Sequence, residues 1–116
     1  ATAVSAHGKN IPAFHYMIAL AGGNDIKCAQ YATFGTKELS ENILLALEKR
    51  KACLMSNHGQ VAFGKNLEDA FELAEEIENI CHQYINTIKL GIPKILSFEE
   101  MNKILEKTKS YKKNKE

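Results

Sequence analysis

The sequence has no long apolar run. Nowhere do consecutive apolar residues approach the roughly eighteen that a membrane-spanning helix requires. The first residues also lack a basic stretch followed by a long hydrophobic segment, so no secretory signal is visible. The 116 residues, 45% of them hydrophobic, suffice for one small domain with its own core. These features predict a soluble, cytoplasmic chain without a membrane partner.

Cysteine is scarce in the sequence. The three cysteines, Cys28, Cys53 and Cys81, are odd in number, far apart and surrounded by apolar residues. A disulfide framework needs pairs of cysteines, and a CxxC metal site needs two of them at close spacing. The pattern therefore predicts reduced thiols in a core and argues against redox chemistry.

Excess positive charge is missing from most of the chain. Residues 1–102 contain 9 basic and 12 acidic side chains, whereas residues 103–116 contain six lysines and two glutamates. A lysine-rich tail can attract nucleic acid, but without arginines or interleaved aromatics it is more often a solvated terminus. We therefore predict no specific nucleic-acid partner, and polyanion binding through the tail stays a minor alternative.

Two elements are predicted before residue 36. A proline at position 12 and the pair Gly22-Gly23 bound a predicted short helix over residues 11–21, since proline suits an early helical position and glycine ends helices. Residues 26–34 are rich in β-favouring side chains and end at Gly35, which predicts a strand.

The rest of the chain contains three predicted helices and a predicted hairpin. Thr36, Asn66 and Ser97 each stand where a helix N-cap is expected. Residues 52–56 and 60–63 have the composition of strands. Two of the helices carry apolar stripes, Leu39-Ile43-Leu47 in one and Leu67, Phe71, Ala74, Ile77, Cys81, Tyr84 and Ile88 in the other. Because three strands are few for such helices, the order predicts an α/β chain that forms part of a larger sheet.

His58 lies between the two hairpin strands, in the stretch LMSNHGQVAFG at residues 54–64. A histidine near a strand end is commonly a hydrogen-bonded structural residue, because imidazole tolerates partial burial. Gly59 also has a structural explanation, since a hairpin turn needs a residue that accepts positive φ. The local sequence therefore leaves both a structural role and a metal-binding role open for His58.

Several ordered motifs resemble the class II aldolase/adducin family. They are IPAFHYM at 11–17, AGG at 21–23, ATFGT at 32–36, RKA at 50–52, NHG at 57–59 and the acidic helix after Asn66. The resemblance covers residues 1 to about 111. It implies an α/β chain that is part of a three-layer α/β/α class II aldolase-like fold with a mainly antiparallel central sheet. Residues 1–107 would be the C-terminal part of a single domain, and residues 108–116 a lysine-rich tail.

The resemblance implies a zinc-dependent lyase. Aldolases of this family cleave a phosphorylated ketose to dihydroxyacetone phosphate and a short aldehyde, a reaction that needs proton transfer at the aldehyde oxygen. A histidine followed by glycine, in the place of His58, is one of three histidine ligands to zinc. Tyr16 would be the catalytic acid, Phe34 would line the aldehyde pocket, and Tyr111 would fold over the site of a neighbouring subunit.

The remaining implied site residues are expected outside residues 1–116. The other two zinc ligands, a His-x-His pair, are expected just ahead of Ala1, with the acidic base and the phosphate-binding loops further upstream. His7, His15 and His82 do not replace these ligands convincingly. Thr108 also departs from the family pattern, because similar aldolases carry a phenylalanine there, and this leaves the aldehyde preference open.

Several functions stay open from the sequence. The resemblance favours an aldolase of carbohydrate metabolism that acts as a homo-oligomer, a tetramer by family resemblance. A sugar-phosphate 4-epimerase or dehydratase of the same family would share the metal site. A catalytically silent, adducin-like binding module would keep the fold and use His58 only as a turn residue.

Overall fold

The computed structural model describes the backbone of residues 1–115 and the side chains of residues 1–110. The elements, in chain order, are α1 Thr2–Ser5, a 3₁₀ helix Tyr16–Ala21, β1 Cys28–Ala29, α2 Lys37–Ala46, β2 Ala52–Met55, β3 Gly59–Ala62, α3 Leu67–Lys89 and α4 Phe98–Lys115. In this part of the chain, no helix has the length and apolar character needed to cross a membrane.

The three strands form one mixed sheet in the order β1-β2-β3. β1 runs parallel to β2, with Cys28 opposite Leu54, and β3 runs antiparallel to β2, with Val61 opposite Cys53. The predicted hairpin is thus confirmed to within one residue at each strand end. Its turn is short because Asn57 adopts a left-handed conformation, with φ 65°, and His58 N–H donates to the Met55 carbonyl at 2.9 Å.

The predicted strand over residues 26–34 is wrong in length. Only Cys28 and Ala29 pair as a strand, and Ile26 forms an isolated bridge with Ile11. The partner strand β2 ends at Met55, and the last backbone bond between the two segments runs from Ser56 N–H to the Ala29 carbonyl. The residues after Ala29 therefore keep β-favouring composition but have no strand to pair with.

The predicted helix over residues 11–21 is also wrong at its start. Ile11 belongs to the bridge with Ile26, and the helical part is a 3₁₀ turn that begins only at Tyr16. The His15 side chain marks this start, because its Nδ1 accepts the Met17 N–H at 3.1 Å. Gly22, with φ 100°, ends the turn where glycine predicted the end.

The helix caps predicted from the sequence are confirmed. Thr36 Oγ1 accepts the Leu39 N–H at 3.2 Å. Asn66 Oδ1 accepts the Asp69 N–H at 2.8 Å, and Ser97 Oγ accepts the Glu100 N–H at 3.1 Å. Each cap satisfies one of the backbone donors that a helix start leaves free, which is worth about 1 kcal/mol.

Helices pack on both faces of the sheet. On one face Cys53 and Ala29 pack with Ala46 of α2. On the other face Leu54 joins a larger core that includes Ile77 of α3, together with residues of α4 and the 3₁₀ helix. Cys53 and Leu54 are both fully buried although they point to opposite faces, as consecutive residues of a strand covered on both sides do.

The first turn of α3 does not reach the core that its apolar stripe predicts. Leu67 and Phe71 are 86% and 62% exposed, whereas Ile77 and Cys81 are fully buried. α3 has 23 residues and so spans about 35 Å, while three strands span only about 10 to 15 Å across the sheet. α3 is therefore longer than the sheet is wide, and its first turn keeps an exposed apolar surface.

The AGG and RKA motifs meet each other in the structure. Lys51 N–H donates to the Ala21 carbonyl at 2.7 Å, which joins the end of the 3₁₀ helix to the start of β2. The Arg50 guanidinium forms an ion pair with the half-buried Asp25 carboxylate and also donates to the Asp25 carbonyl at 3.1 Å. The two motifs are thus a structural junction of the fold.

Gly22 at this junction is expected to tolerate alanine poorly. A methyl group there would lie 3.2 Å from Arg50 Cα, in addition to the cost of φ 100° for a residue with a side chain. We expect Gly22→Ala to lower the free energy of unfolding by roughly 2 to 4 kcal/mol, measured by urea denaturation. Gly35→Ala is the matched control, because Gly35 also has positive φ but no atom stands within 4 Å of its added methyl group. If Gly22→Ala and Gly35→Ala lower the free energy of unfolding equally, the close approach of Gly22 to Arg50 is contradicted.

Candidate functional site

His58 is held by two consecutive residues of the loop that follows β1. Its Nε2 lies 2.9 Å from the Ala32 carbonyl oxygen, and its ring stacks on Tyr31 with centroids 5.4 Å apart and 9° between the planes. Because a carbonyl only accepts hydrogen bonds, this contact puts the ring proton on Nε2. The imidazole is half-buried. Because Nε2 carries the proton, Nδ1 is the ring nitrogen that has an available lone pair.

The turn that carries His58 rests against the first helix of the chain. Asn57 N–H donates to the Ser5 carbonyl at 3.1 Å, and a methyl group at Gly59 would lie 3.5 Å from Thr2 Oγ1. The beginning of α1 therefore lies beside the turn. Ser5 is fully buried and its hydroxyl donates to the Thr2 carbonyl at 2.7 Å, so this contact is made by ordered groups.

Phe34 lies on the same loop as the two residues that hold His58. It comes two residues after Ala32 and is 80% exposed, so the structure does not bury it in a core. The Thr36 hydroxyl donates to the Thr33 carbonyl at 2.7 Å and so closes the turn in which Phe34 lies. The structure thus brings the loop of Phe34 next to His58, as a pocket-lining role would require.

Tyr16 begins the 3₁₀ helix and is 55% exposed. Its ring stacks on His15, with centroids 4.8 Å apart and 28° between the planes. The 3₁₀ helix packs against α3 and α4, whereas His58 contacts the loop after β1. Tyr16 is therefore an accessible phenol and not a core residue. Its ring contacts His15, whereas the ring of His58 contacts Tyr31 and Ala32, which belong to a different segment.

The other candidate ligands do not gather around His58. His7 and His82 are exposed, and His15 uses Nδ1 to cap the 3₁₀ helix. Where side chains are described, no group of three or more His, Cys, Asp or Glu residues could hold a metal ion. His58 therefore fits one ligand position of a zinc site, and the chain region described supplies no complete ligand set. The Tyr111 side chain lies outside the described residues.

The cysteines are free thiols in apolar surroundings. Cys53 and Cys81 are buried and Cys28 is half-buried. Burial raises the pKa of all three thiols, and it raises that of Cys53 from 9.0 to about 11, with a further contribution from the nearby Cys28. Thiolates are the reactive form of cysteine, so these residues are poor nucleophiles at neutral pH, in agreement with core thiols.

Cys53 is expected to make the fold sensitive to alkali. Its pKa is higher in the folded protein than in the unfolded chain, so its contribution to stability is complete below pH 9 and is lost as the pH rises toward 11. A difference of about two pKa units corresponds to roughly 2 to 3 kcal/mol. We expect unfolding free energies measured from pH 8 to 11 to fall less steeply in Cys53→Ala than in the wild type. If the unfolding free energies of Cys53→Ala and of the wild type fall equally with pH, the raised pKa of Cys53 is contradicted.

The local sequence does not indicate that Tyr31 and Ala32 are neighbours of His58. Both lie within the segment that was predicted to be a strand, and nothing in their local pattern marks them as contacts of a residue 26 positions later. Ala32 acts through its backbone carbonyl, which is present in every residue type. The one sequence signal in this loop is the ATFGT motif, which begins at Ala32.

The folded chain therefore combines helices on both faces of a sheet with an accessible histidine at the end of a hairpin. Residues 1–85 match the family described as class II aldolase and adducin N-terminal domain. The chain belongs to this family, which confirms the resemblance that the ordered motifs predicted.

The relatives of this chain are named as aldolases. An L-fuculose phosphate aldolase of Escherichia coli K12 is 53% identical over 111 residues, which are 95% of this chain and 52% of that protein. A 5-methylthioribulose-1-phosphate/5-deoxyribulose-1-phosphate aldolase of Rhodospirillum rubrum is 50% identical over 113 residues, or 97% of this chain and 51% of that protein. A solved L-fuculose 1-phosphate aldolase has a TM-score of 0.88 at 44% identity, covering 93% of this chain and 50% of that one. The chain thus spans about half the length of the curated relatives it matches.

Proposed function

We propose that the intact protein containing this chain is a zinc-dependent aldolase. It cleaves a phosphorylated ketose, such as L-fuculose 1-phosphate, to dihydroxyacetone phosphate and a short aldehyde. The relatives named for L-fuculose phosphate and for 5-deoxyribulose 1-phosphate support this class of substrate. Zinc, when bound, supplies Lewis-acid stabilisation of the negative charge that develops on the ketone oxygen.

One observation carries the proposal: the start of α1 lies against the turn of His58. The Asn57 N–H donates to the carbonyl of Ser5, the last residue of this four-residue helix, and Gly59 lies beside Thr2, its first residue. A His-x-His pair placed immediately ahead of Ala1, as the family resemblance implies, would therefore enter beside His58. Three imidazoles at one place match the usual donor set of a catalytic zinc site, which also keeps a position open for substrate.

Tyr16 is proposed as the acid–base group at the aldehyde oxygen: it protonates this oxygen when the carbon–carbon bond forms, and in cleavage the same transfer runs in reverse, so that the C4 hydroxyl gives up its proton as the C3–C4 bond breaks. Phe34 is proposed as an aromatic wall of the aldehyde pocket. The exposure of both rings supports these roles, because a group that meets substrate must be reachable. Tyr111 is proposed to close over the site of a neighbouring subunit. A homo-oligomer, a tetramer by family resemblance, is part of the proposal, and the almost fully exposed Leu90 and Ile92 are apolar groups that an interface would cover.

The proposed whole fold is a three-layer α/β/α arrangement with a mainly antiparallel sheet. The outer edge of β1 is occupied by side chains, since Asn10 Oδ1 accepts the Cys28 N–H at 2.7 Å and Asn42 Nδ2 donates to the Gln30 carbonyl at 3.1 Å. On β3, the pairing register turns the backbone groups of Gln60 and Ala62 away from β2. Further strands would therefore add beside β3.

An aldol-cleavage assay on the purified intact protein tests the proposal. We expect dihydroxyacetone phosphate to be released from at least one ketose 1-phosphate of a panel that includes L-fuculose 1-phosphate and 5-deoxyribulose 1-phosphate. Chelation should abolish this activity, and added Zn²⁺ should restore it. Inversion at C4 of a sugar phosphate without cleavage would instead indicate an epimerase, and loss of water would indicate a dehydratase.

A binding module is the second candidate, because the family that matches this chain is described as both class II aldolase and adducin. It predicts a folded intact protein without bound zinc and without turnover of any substrate in the panel. Elemental analysis of the purified protein separates this outcome from the aldolase.

A further inference from the structure

We infer that Tyr31 is a positioning residue for His58. Tyr31 and Ala32 are consecutive, yet they restrain the imidazole in two different ways. The Tyr31 ring covers the face of the imidazole with only 9° between the planes, and the Ala32 carbonyl accepts its Nε2–H at 2.9 Å. A planar ring that is held at one face and at one edge has little freedom to rotate about either side-chain torsion. This clamp, defined as Tyr31 with the Ala32 carbonyl, fixes the orientation of His58.

The two halves of the clamp differ in how firmly they are anchored. Ala32 is buried, and its loop ends at the Thr36 cap of α2, so the carbonyl is held by backbone structure. Tyr31 is 57% exposed, so its ring is not needed to fill the core. An exposed aromatic ring that lies nearly parallel to a candidate ligand is better explained by that contact than by packing of the core.

In the proposed zinc site, the clamp should strengthen metal binding, because an imidazole that is already oriented loses less conformational entropy when it binds the metal. Imidazole ligands bind a metal more tightly when their other nitrogen donates to a fixed acceptor, and loss of such support typically weakens binding about 10- to 100-fold. The stacked ring adds restraint on the plane of the imidazole, which a hydrogen bond alone leaves free to tilt. The effect on zinc affinity rests on the proposed function, whereas the orientation of His58 does not.

The ring orientation is tested by NMR on the metal-free intact protein. The His58 ring protons should show the upfield shift that a stacked aromatic ring produces, and His58→Ala identifies their signals among those of the four histidines. We expect Tyr31→Ala to remove the shift and Tyr31→Phe to keep it, because phenylalanine retains the stacking face. An unchanged His58 signal in Tyr31→Ala overturns the inference.

The zinc affinity is measured separately, by competition with a chromophoric chelator at constant pH. We expect Tyr31→Ala to weaken binding about 10- to 100-fold and Tyr31→Phe to stay within about threefold of the wild type. Phe98→Ala is the matched control, since Phe98 is a comparably exposed aromatic, 66%, at the start of α4. A Tyr31→Ala protein that loses the ring shift but keeps wild-type affinity contradicts the positioning role. If the wild type binds no zinc, the proposed function fails, and the ring shift alone decides the orientation.

Discussion

Replacing His58 with alanine in the intact protein is expected to remove the bound zinc and with it the aldol cleavage. His58 is the histidine that the structure places at an accessible turn with Nε2–H engaged and Nδ1 available. A catalytic zinc held by three protein ligands keeps little affinity when one is lost. Lewis-acid stabilisation is worth several kcal/mol, so we expect kcat/KM to fall by at least about 10³-fold.

The fold should survive this substitution, which makes the result interpretable. The turn is formed by backbone contacts, the His58 N–H to the Met55 carbonyl and the Asn57 N–H to the Ser5 carbonyl, and alanine keeps both. His82→Ala is the matched control, because His82 is exposed on α3. Full zinc occupancy in His58→Ala, measured by elemental analysis, would show that His58 is only a turn residue.

The elements that the sequence predicted well are those determined by neighbouring residues. The caps at Thr36, Asn66 and Ser97 need only a side chain and a backbone donor three residues away, so local sequence contains the whole interaction. The hairpin around His58 is similar, since a left-handed Asn57 and a glycine after it define the turn.

The elements that were predicted wrongly depend on distant parts of the chain. Residues 26–34 have strand composition throughout, but they pair only where β2 runs beside them, which local composition does not contain. Leu67 and Phe71 continue a regular apolar stripe, but burial needs a surface opposite them, and the three-stranded sheet is narrower than α3 is long. Tyr31 was missed for the same reason, because its role depends on a residue 27 positions later.

The site could be predicted only in part, for a related physical reason. His58, Tyr16 and Phe34 came from motif resemblance, and the structure adds that all three are accessible. The contact between α1 and the His58 turn could not be predicted, because it joins segments about fifty residues apart through backbone atoms.

Removing the Tyr16 hydroxyl is the second change for which we expect a large effect. Tyr16→Phe in the intact protein should lower kcat by roughly 10² to 10⁴, the range for loss of a positioned acid or base. The substitution deletes one oxygen atom and keeps the ring that stacks on His15, so the start of the 3₁₀ helix should not change. Zinc content should stay at the wild-type value, which distinguishes this variant from His58→Ala.

The effect of Tyr16→Phe should fall on kcat rather than on the binding of substrate. A group that transfers the proton at the aldehyde oxygen acts mainly in the transition state, when the C3–C4 bond breaks and charge develops on that oxygen, so its loss raises the barrier more than it weakens the ground-state complex. Tyr84→Phe is the control for loss of a phenol hydroxyl, since Tyr84 is half-buried and packs against Phe14 at a centroid distance of 5.1 Å. Steady-state kinetics with the ketose phosphate that the wild type cleaves gives both constants. A Tyr16→Phe enzyme with wild-type kcat would return Tyr16 to a structural role at the start of the 3₁₀ helix, and the proton donor would then have to be sought elsewhere.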